Sequence, residues 1–165
     1  MPGRVQTYTD PLQHALIAAA VVAPLGRRAM PTAVSVALAI DIDHAVAARS
    51  VRVRHTTALS TRPRTHSLVT AAGAAAVIGA RRGPVHGWAA FAGLVSHFLH
   101  DAGDDAAPTP LFWPFARARQ LGRRPQLIGT VALALASLAI SRATAAGATS
   151  RDGDGGGDTA PPRTA

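Results

Sequence analysis

Five apolar stretches, rich in Ala, Val and Leu, alternate with short polar or arginine-bearing connections along the chain. They cover residues 12–25, 29–40, 67–80, 85–99 and 127–140. Each stretch is longer than a typical strand, so a helix is the better interpretation. We therefore predict an all-α fold, a bundle of about five short helices whose short connections make successive helices run in opposite directions.

The predicted helices are apolar around most of their circumference, whereas a soluble bundle of this size normally shows polar faces. Each uncharged run has only about 12 to 16 residues, fewer than the roughly 20 that cross a membrane at about 1.5 Å per residue. The second and fourth runs can continue as helix through residues 41–48 and 100–102. We therefore predict a multi-pass transmembrane bundle, with a soluble helix-rich bundle as the alternative.

The composition excludes several classes of chemistry. All 17 basic residues are Arg and all 9 acidic residues are Asp, so the chain has neither Lys nor Glu. P-loop chemistry, which needs a Lys at the phosphates, and any mechanism with a Glu base are excluded. The absence of Cys excludes disulfide frameworks, thiolate nucleophiles and cysteine-ligated metals. Any catalysis therefore has to depend on Asp and on the seven His.

The chain divides at about residue 143. We expect a single membrane-embedded domain over residues 1–143 and a disordered tail over residues 144–165, where Gly, Asp, Thr and Pro dominate. The acidic Gly run of the tail lacks the spacing and the closing Glu of a calcium loop. Asp10, His14 and Pro24 indicate that the first apolar run is a retained helix and not a cleaved signal peptide.

Alternating helix directions would bring eight potential metal ligands, from four helix ends, to one side of the bundle. They are His14, Asp41, Asp43, His44, His66, His97, His100 and Asp101. The opposite side would receive a group of arginines, namely Arg27, Arg28, Arg81, Arg82 and Arg142. Each candidate ligand alone has a plain interpretation, such as a packed histidine or a solvated turn. Their joint position favours a metal site.

The local spacing of these residues supports the same prediction. His97 and Asp101 are four residues apart, so both can address one ion from the same helix face. Asp41 and Asp43 follow directly on an apolar run, where a divalent cation is the usual compensation for charge. Imidazole and carboxylate without thiolate suit Zn²⁺, Mn²⁺ or Fe²⁺ better than Mg²⁺ or Ca²⁺. We expect one or two such ions, with Zn²⁺ as the first choice.

The charge distribution predicts the partners. The formal net charge is +8, and its arginines cluster between apolar runs as in membrane proteins, so we expect no nucleic-acid partner. Arg62 and Arg64 lie beside the predicted ligands and are candidates for binding an anionic substrate or a lipid headgroup, although the positive-inside rule explains them equally well. The excess of arginines on the ligand side predicts that this side faces the cytoplasm.

Four motifs make the chain similar to a known family. They are Ala39-Ile-Asp-Ile-Asp-His44, Arg64-Thr-His-Ser67, Gly93-Leu-Val-Ser-His-Phe-Leu-His-Asp101 and Leu111-Phe-Trp-Pro114. In order and spacing they resemble the YdjM-like family of inner-membrane metal-dependent hydrolases, over about residues 10–125. The resemblance implies a multi-pass protein of the bacterial inner (plasma) membrane. It also implies that all the candidate ligands except His100 occupy the family's motif positions.

The chain departs from the family pattern in two places. The family's third motif usually opens with His-Arg-Gly, whereas this chain has Thr61-Arg62-Pro63. The Thr-Pro-x-Gly that normally follows the last Asp is replaced by residues 104–109. His55 or His100 would then have to supply the lost ligand.

The candidate ligands and the neighbouring arginines together predict a membrane-bound hydrolase that cleaves a phosphoester or another ester with metal-activated water. Asp41, Asp43 or Asp101 would hold the metal or accept a proton. The alternatives are a non-catalytic metal-binding or metal-moving membrane protein and a regulatory one that has lost part of the site. A transporter would carry ionisable residues near helix centres, whereas here they lie at helix ends. The missing histidine favours the regulatory alternative.

Overall fold

The computed structural model describes residues 10–52, 55, 59–103 and 107–154. Within these residues the chain forms six α-helices, with one 3₁₀ turn at Ala23–Leu25, and no strand. The helices are α1 (Asp10–Val22), α2 (Met30–Ala39), α3 (Ile42–Ala47), α4 (Leu68–Arg82), α5 (Pro84–Gly103) and α6 (Arg123–Asp154). The predicted all-α fold is confirmed.

Two boundaries differ from those that the apolar pattern predicted. The second apolar run does not continue as a single helix, because the chain turns at Ile40 and Asp41 before α3 begins. The last helix extends to Asp154, so the predicted domain boundary at residue 143 falls inside α6. The remainder of the predicted tail, residues 155–165, lies outside the described residues, as do residues 104–106 of the second departure from the family pattern.

Helix α5 is the centre of the bundle and packs against α1, α2, α4 and α6. Small residues allow this close packing. A Cβ atom added at Gly93 would lie only 2.5 Å from the carbonyl oxygen of Ala33 on α2, and one added at Gly87 only 2.9 Å from the Cα of Gly79 on α4. The backbones of α2, α4 and α5 therefore approach each other at positions where only glycine fits, as is common in membrane helix packing.

The connection between α4 and α5 consists of Gly83 alone. Its φ of 93° lies in the region that glycine adopts without strain, and its N–H donates to the carbonyl of Gly79. Pro84 follows as the first residue of α5, where its fixed φ suits a helix start. This tight turn reverses the chain, so the start of α4 and the end of α5 lie at the same end of the bundle.

A loop over residues 107–122 closes that end. The backbones of Thr109 and Arg119 pair in an antiparallel bridge, and the N–H of Leu121 donates to the carbonyl of Ala102 at the end of α5. The loop also accepts a hydrogen bond from the N–H of Arg62, through the carbonyl of Pro108. It therefore holds the segment before α4 against the end of α5.

Two described segments, Met30–Ala47 and Arg123–Gly147, are long and apolar enough to cross a membrane. A third apolar segment, Pro11–Leu25, is shorter. Only 11% of the Arg123–Gly147 window is buried within the chain, and its large side chains point outward: Leu127, Ile128, Val131 and Leu135 are 57–70% exposed. An apolar helix surface of this kind is suited to contact with lipid.

Candidate metal centre

Seven of the eight predicted ligands meet at the end of the bundle formed by the start of α1, the α2–α3 turn, the segment before α4 and the end of α5. They form three overlapping groups whose ligand atoms lie within 4.8 Å of one another. The groups are His14, His97 and Asp101; Asp41, His66 and His97; and Asp43, His44 and His66. The first and third groups share no residue, so they could hold two ions at the same time.

Local structure explains how each element presents its ligand. Asp41 occupies the position before α3 but its side chain does not cap that helix, which leaves the carboxylate for the cluster. Ser67 instead caps α4, where its hydroxyl accepts from the N–H of Thr70, so the helix begins at Leu68, two residues after His66. On α5, His97 and Asp101 are one helical turn apart and both face inward.

The distances between ligand atoms match those around a shared ion. Nε2 of His97 lies 3.3 Å from an oxygen of Asp41 and 3.4 Å from Oδ2 of Asp101, and Nε2 of His66 lies 3.4 Å from the same Oδ2. Nε2 of His14 lies 3.4 Å from Oδ1 of Asp101. Ligands bound tetrahedrally at about 2.0–2.1 Å from zinc are separated by about 3.3–3.4 Å. The spacing of these atoms therefore fits a divalent cation.

The hydrogen bonding of the histidines is consistent with this fit. Both ring nitrogens of His66 and both of His97 are buried and have no hydrogen-bond partner among the described residues, although carboxylate oxygens are close. Buried polar atoms are normally hydrogen bonded. Nitrogen and oxygen atoms that lie this close without a hydrogen bond between them are arranged like ligands of one shared metal ion.

Burial gives the cluster an inner and an outer side. His14, His66, His97 and Asp101 are fully buried, whereas the side chain of Asp41 is 34% exposed. When its histidines are neutral, as metal binding requires, the cluster has three carboxylates against one close guanidinium among the described residues, that of Arg62, and its net charge is negative. Such charge in a buried position requires compensation, which a divalent cation would provide.

The nearby carboxylates change the pKa of His66. Burial alone would lower the pKa of His66, but the neighbouring carboxylates of Asp41 and Asp43 raise that pKa above its ordinary value of 6.5. Without a cation, the cluster thus favours a proton on His66.

The two predicted substrate-binding arginines lie in different surroundings. Arg62 is buried and its Nη2 lies 3.0 Å from Oδ1 of Asp101, so this guanidinium is paired within the metal cluster. Arg64 is exposed and lies over the ring of Trp113, 5.9 Å from the ring centre. Both line a cavity of about 370 Å³ together with Thr61, Trp113 and Arg117. The cavity therefore has a cationic wall that reaches the cluster through Arg62.

The two histidines considered as replacements for the lost motif histidine stand outside the three ligand groups. The ring of His100 packs edge-on against that of His14, with 4.8 Å between centres, and its Nδ1 lies 3.1 Å from the side-chain nitrogen of Gln126 on α6. His55 is exposed and pairs with the hydroxyl of Ser50. The place of His100 beside the cluster, and not within a group, agrees with the family pattern, which does not require it.

Two contacts were not predicted from the sequence. The hydroxyl of Thr65 donates to Oδ2 of Asp43, and the side chain of Gln126 reaches His100 from α6. Thr65 belongs to the motif Arg64-Thr-His-Ser67, so its position next to His66 was a usable signal. Gln126 had no such signal because it comes from a helix without candidate ligands.

No curated protein and no solved structure matches this chain. The family described as YdjM inner membrane protein matches residues 10–154, which include all six described helices and every ligand of the three groups. The chain belongs to the YdjM inner membrane protein family.

Proposed function

We propose that this protein is a multi-pass membrane hydrolase that cleaves a phosphoester with the help of two divalent cations, Zn²⁺ being the first choice. The observation that carries the proposal is the set of three overlapping His/Asp groups with ligand-like spacing. Two groups without a common residue match the two-ion arrangement found in many phosphoester hydrolases.

The group His14, His97 and Asp101 would hold the inner ion, and Asp43, His44 and His66 the outer one. Each group has three protein ligands, the number typical of a catalytic zinc site. A divalent cation bound there supplies Lewis acidity, which makes water a better nucleophile near neutral pH. Thr65 orients Asp43 through its hydroxyl, and Arg62 balances the charge of buried Asp101.

Asp41 is the carboxylate best placed to move a proton. It is the most exposed of the three, and it lies between His66 and His97, 3.8 Å and 3.3 Å from their Nε2 atoms. In the proposed reaction the water oxygen bonds to phosphorus, its proton passes to Asp41, and the bond from phosphorus to the leaving oxygen breaks. The same proton then returns to the leaving oxygen.

The cationic wall of the neighbouring cavity supports a phosphoester as the substrate. Arg64 and Arg117 line this cavity, and guanidinium groups bind phosphate oxygens strongly. The aromatic side chains at its mouth are exposed, Phe115 by 87%, which suits a location at the membrane surface. We further propose that this end of the bundle faces the cytoplasm.

A non-catalytic metal-binding or regulatory protein is the second candidate. Thr61 stands where the family usually has a histidine, and it lines the cavity beside the cluster. In that case the protein would bind metal and hydrolyse nothing.

Metal analysis and hydrolysis by the purified full chain test both proposals. We expect close to two ions per chain and cleavage of a generic phosphodiester. His66→Gln should lose metal and activity, because His66 belongs to two of the three groups. His55→Gln, a matched change at an exposed histidine, should lose neither. Less than about 0.1 ion per wild-type chain would overturn the metal centre. Bound metal without hydrolysis of any phosphoester in a panel would instead favour the second candidate.

A further inference from the structure

A second cavity, of about 390 Å³, lies at the other end of the bundle, between the start of α2, the end of α4 and the start of α5. Its polar lining consists of Arg28, Thr32, Ser35, Arg81, Arg82 and His86. The rest of the lining is apolar: Pro31, Val36, Val77 and Ile78. None of these residues belongs to the metal centre.

The charges of this cavity have a single sign. Its lining contains three arginines and no carboxylate. In the described part of the chain, none of the three arginines forms an ion pair. The ion pairs that are present lie at the opposite end of the bundle, in the candidate metal centre. Three guanidinium groups around one space repel each other, and an anion bound between them would remove that repulsion.

The wall of the cavity also contains a fixed polar pair. Thr32 is buried, with 7% of its surface exposed, and its hydroxyl lies 3.0 Å from Nδ1 of His86 on α5. This hydrogen bond holds the imidazole in place and leaves its Nε2 outside the pair. Ser35 follows Thr32 by three residues on α2, so its hydroxyl lies on the same helix face. In either tautomer of His86 this pair keeps one N–H or O–H for a further hydrogen bond, and with the hydroxyl of Ser35 and the guanidinium groups it gives the cavity a wall rich in donors.

Apolar side chains continue from this wall along α2 and α4. Val36, Val77 and Ile78 line the cavity, and Val77 is 53% exposed. A ligand with an anionic head and an apolar portion would contact both parts. A phosphate group has the charge and the number of acceptor oxygens that this many donors require.

We propose that this cavity is a binding site for a phosphate group, carried either by an anionic membrane lipid or by free phosphate. The site is separate from the metal centre, and it does not depend on hydrolysis. It would place a phosphate against the arginines at the end of the bundle where α4 turns into α5.

Binding to the full-length, metal-free protein in detergent tests the site and separates the two sources. In one arm, the protein is titrated with inorganic phosphate. In the other, it is reconstituted in vesicles of phosphatidylcholine with and without phosphatidylglycerol, and the lipid that remains bound is measured. Saturable binding of inorganic phosphate assigns a free anion. Selective retention of phosphatidylglycerol without phosphate binding assigns a lipid headgroup. Binding in neither arm overturns the proposal.

Arg81→Gln should weaken the observed binding about 10-fold, since it removes one charged donor from the site. Arg28→Gln, in the turn before α2, provides a second test in a different part of the chain, should the first variant fail to fold. The matched control is Arg142→Gln. Arg142 is exposed and lies on α6 five residues after Ser137, whose hydroxyl accepts from the indole N–H of Trp88 near the start of α5. Arg142 therefore lies near the same end of the bundle as the cavity but does not line it. If Arg142→Gln weakened binding as much as Arg81→Gln does, the binding would reflect only diffuse attraction to surface charge, and the proposal would be overturned.

Discussion

Nη2 of Arg62 lies 3.0 Å from Oδ1 of Asp101, and both side chains are buried at the metal end of the bundle. Asp101 also lies within 3.4 Å of His14, His66 and His97. Arg62, which the sequence suggested as a substrate-binding residue, therefore balances charge inside the cluster. It also lines the neighbouring cavity.

Replacing Arg62 tests this charge balance. Arg62→Met leaves the buried carboxylate of Asp101 without its cation, and breaking a buried ion pair typically destabilises a protein by about 3–5 kcal/mol. We expect the free energy of unfolding of the metal-free variant in detergent to fall by roughly that amount. Excess Zn²⁺ should then restore more stability in the variant than it adds to the wild type, because the ion replaces the lost charge.

Arg64→Met is the matched control for that change. Arg64 is exposed and contacts only the face of Trp113 among the interactions described for it, so its replacement should alter the free energy of unfolding by about 1 kcal/mol or less. Equal effects of the two substitutions would contradict a structural role for the Arg62–Asp101 pair.

Replacing Asp41 tests whether metal binding and catalysis depend on different residues. The groups His14–His97–Asp101 and Asp43–His44–His66 do not include it, so Asp41→Asn should keep close to the wild-type metal content. If Asp41 accepts the proton of the attacking water, hydrolysis should fall by about 10²–10⁴-fold. Metal analysis and kcat on a generic phosphodiester measure the two effects. Loss of an ion would make Asp41 a ligand instead, and unchanged kcat would remove it from the mechanism.

Metal affinity should rise with pH. The carboxylates of Asp41 and Asp43 raise the pKa of His66 above 6.5, so the site binds a proton near neutral pH in competition with a cation. Raising the pH through this elevated pKa removes the proton, and the apparent affinity for Zn²⁺ then increases. We expect at least about 10-fold tighter binding at pH 8 than at pH 6, with proton release detected by calorimetry in buffers of different ionisation enthalpy. An affinity that does not change over this range would contradict a ligand role for His66.

Gly93 tests the close packing of α2 and α5. A methyl group at this position would lie 2.5 Å from the carbonyl oxygen of Ala33, so Gly93→Ala should push the helices apart and destabilise the fold by about 1–3 kcal/mol. Gly73→Ala is the control on α4, because nothing lies within 4 Å of the added methyl group there. That control should be neutral or stabilise the helix by about 0.5–1 kcal/mol. Thermal unfolding in detergent measures both, and a similar Tm for the two variants would argue against a tight contact at Gly93.

The helices and most of the site were predictable because both depend on local spacing. Apolar runs of helical length predict helices whatever their neighbours are, and the short connections after α1 and α4 force reversals. Reversal alone then brings His14, Asp43, His66 and His97 to one end. The positions of the helix ends were less predictable: a turn at Ile40 and Asp41 interrupts the second run, and α6 continues to Asp154, well past the last apolar run, which ends at residue 140.

Four features were settled by the sequence itself: the all-α class, the absence of thiolate, Lys and Glu chemistry, the ligand types, and the helix ends from which the ligands come. The tertiary structure decided which candidate ligands lie close enough to share an ion, that Arg62 pairs with Asp101, that His100 stands beside the groups, and that Arg28, Arg81 and Arg82 line one cavity. These depend on side chains from different helices approaching within a few ångströms. Such contacts are set by the rotation and packing of each helix, for which residues such as Gly93 leave room, and the order of residues along one helix does not specify them.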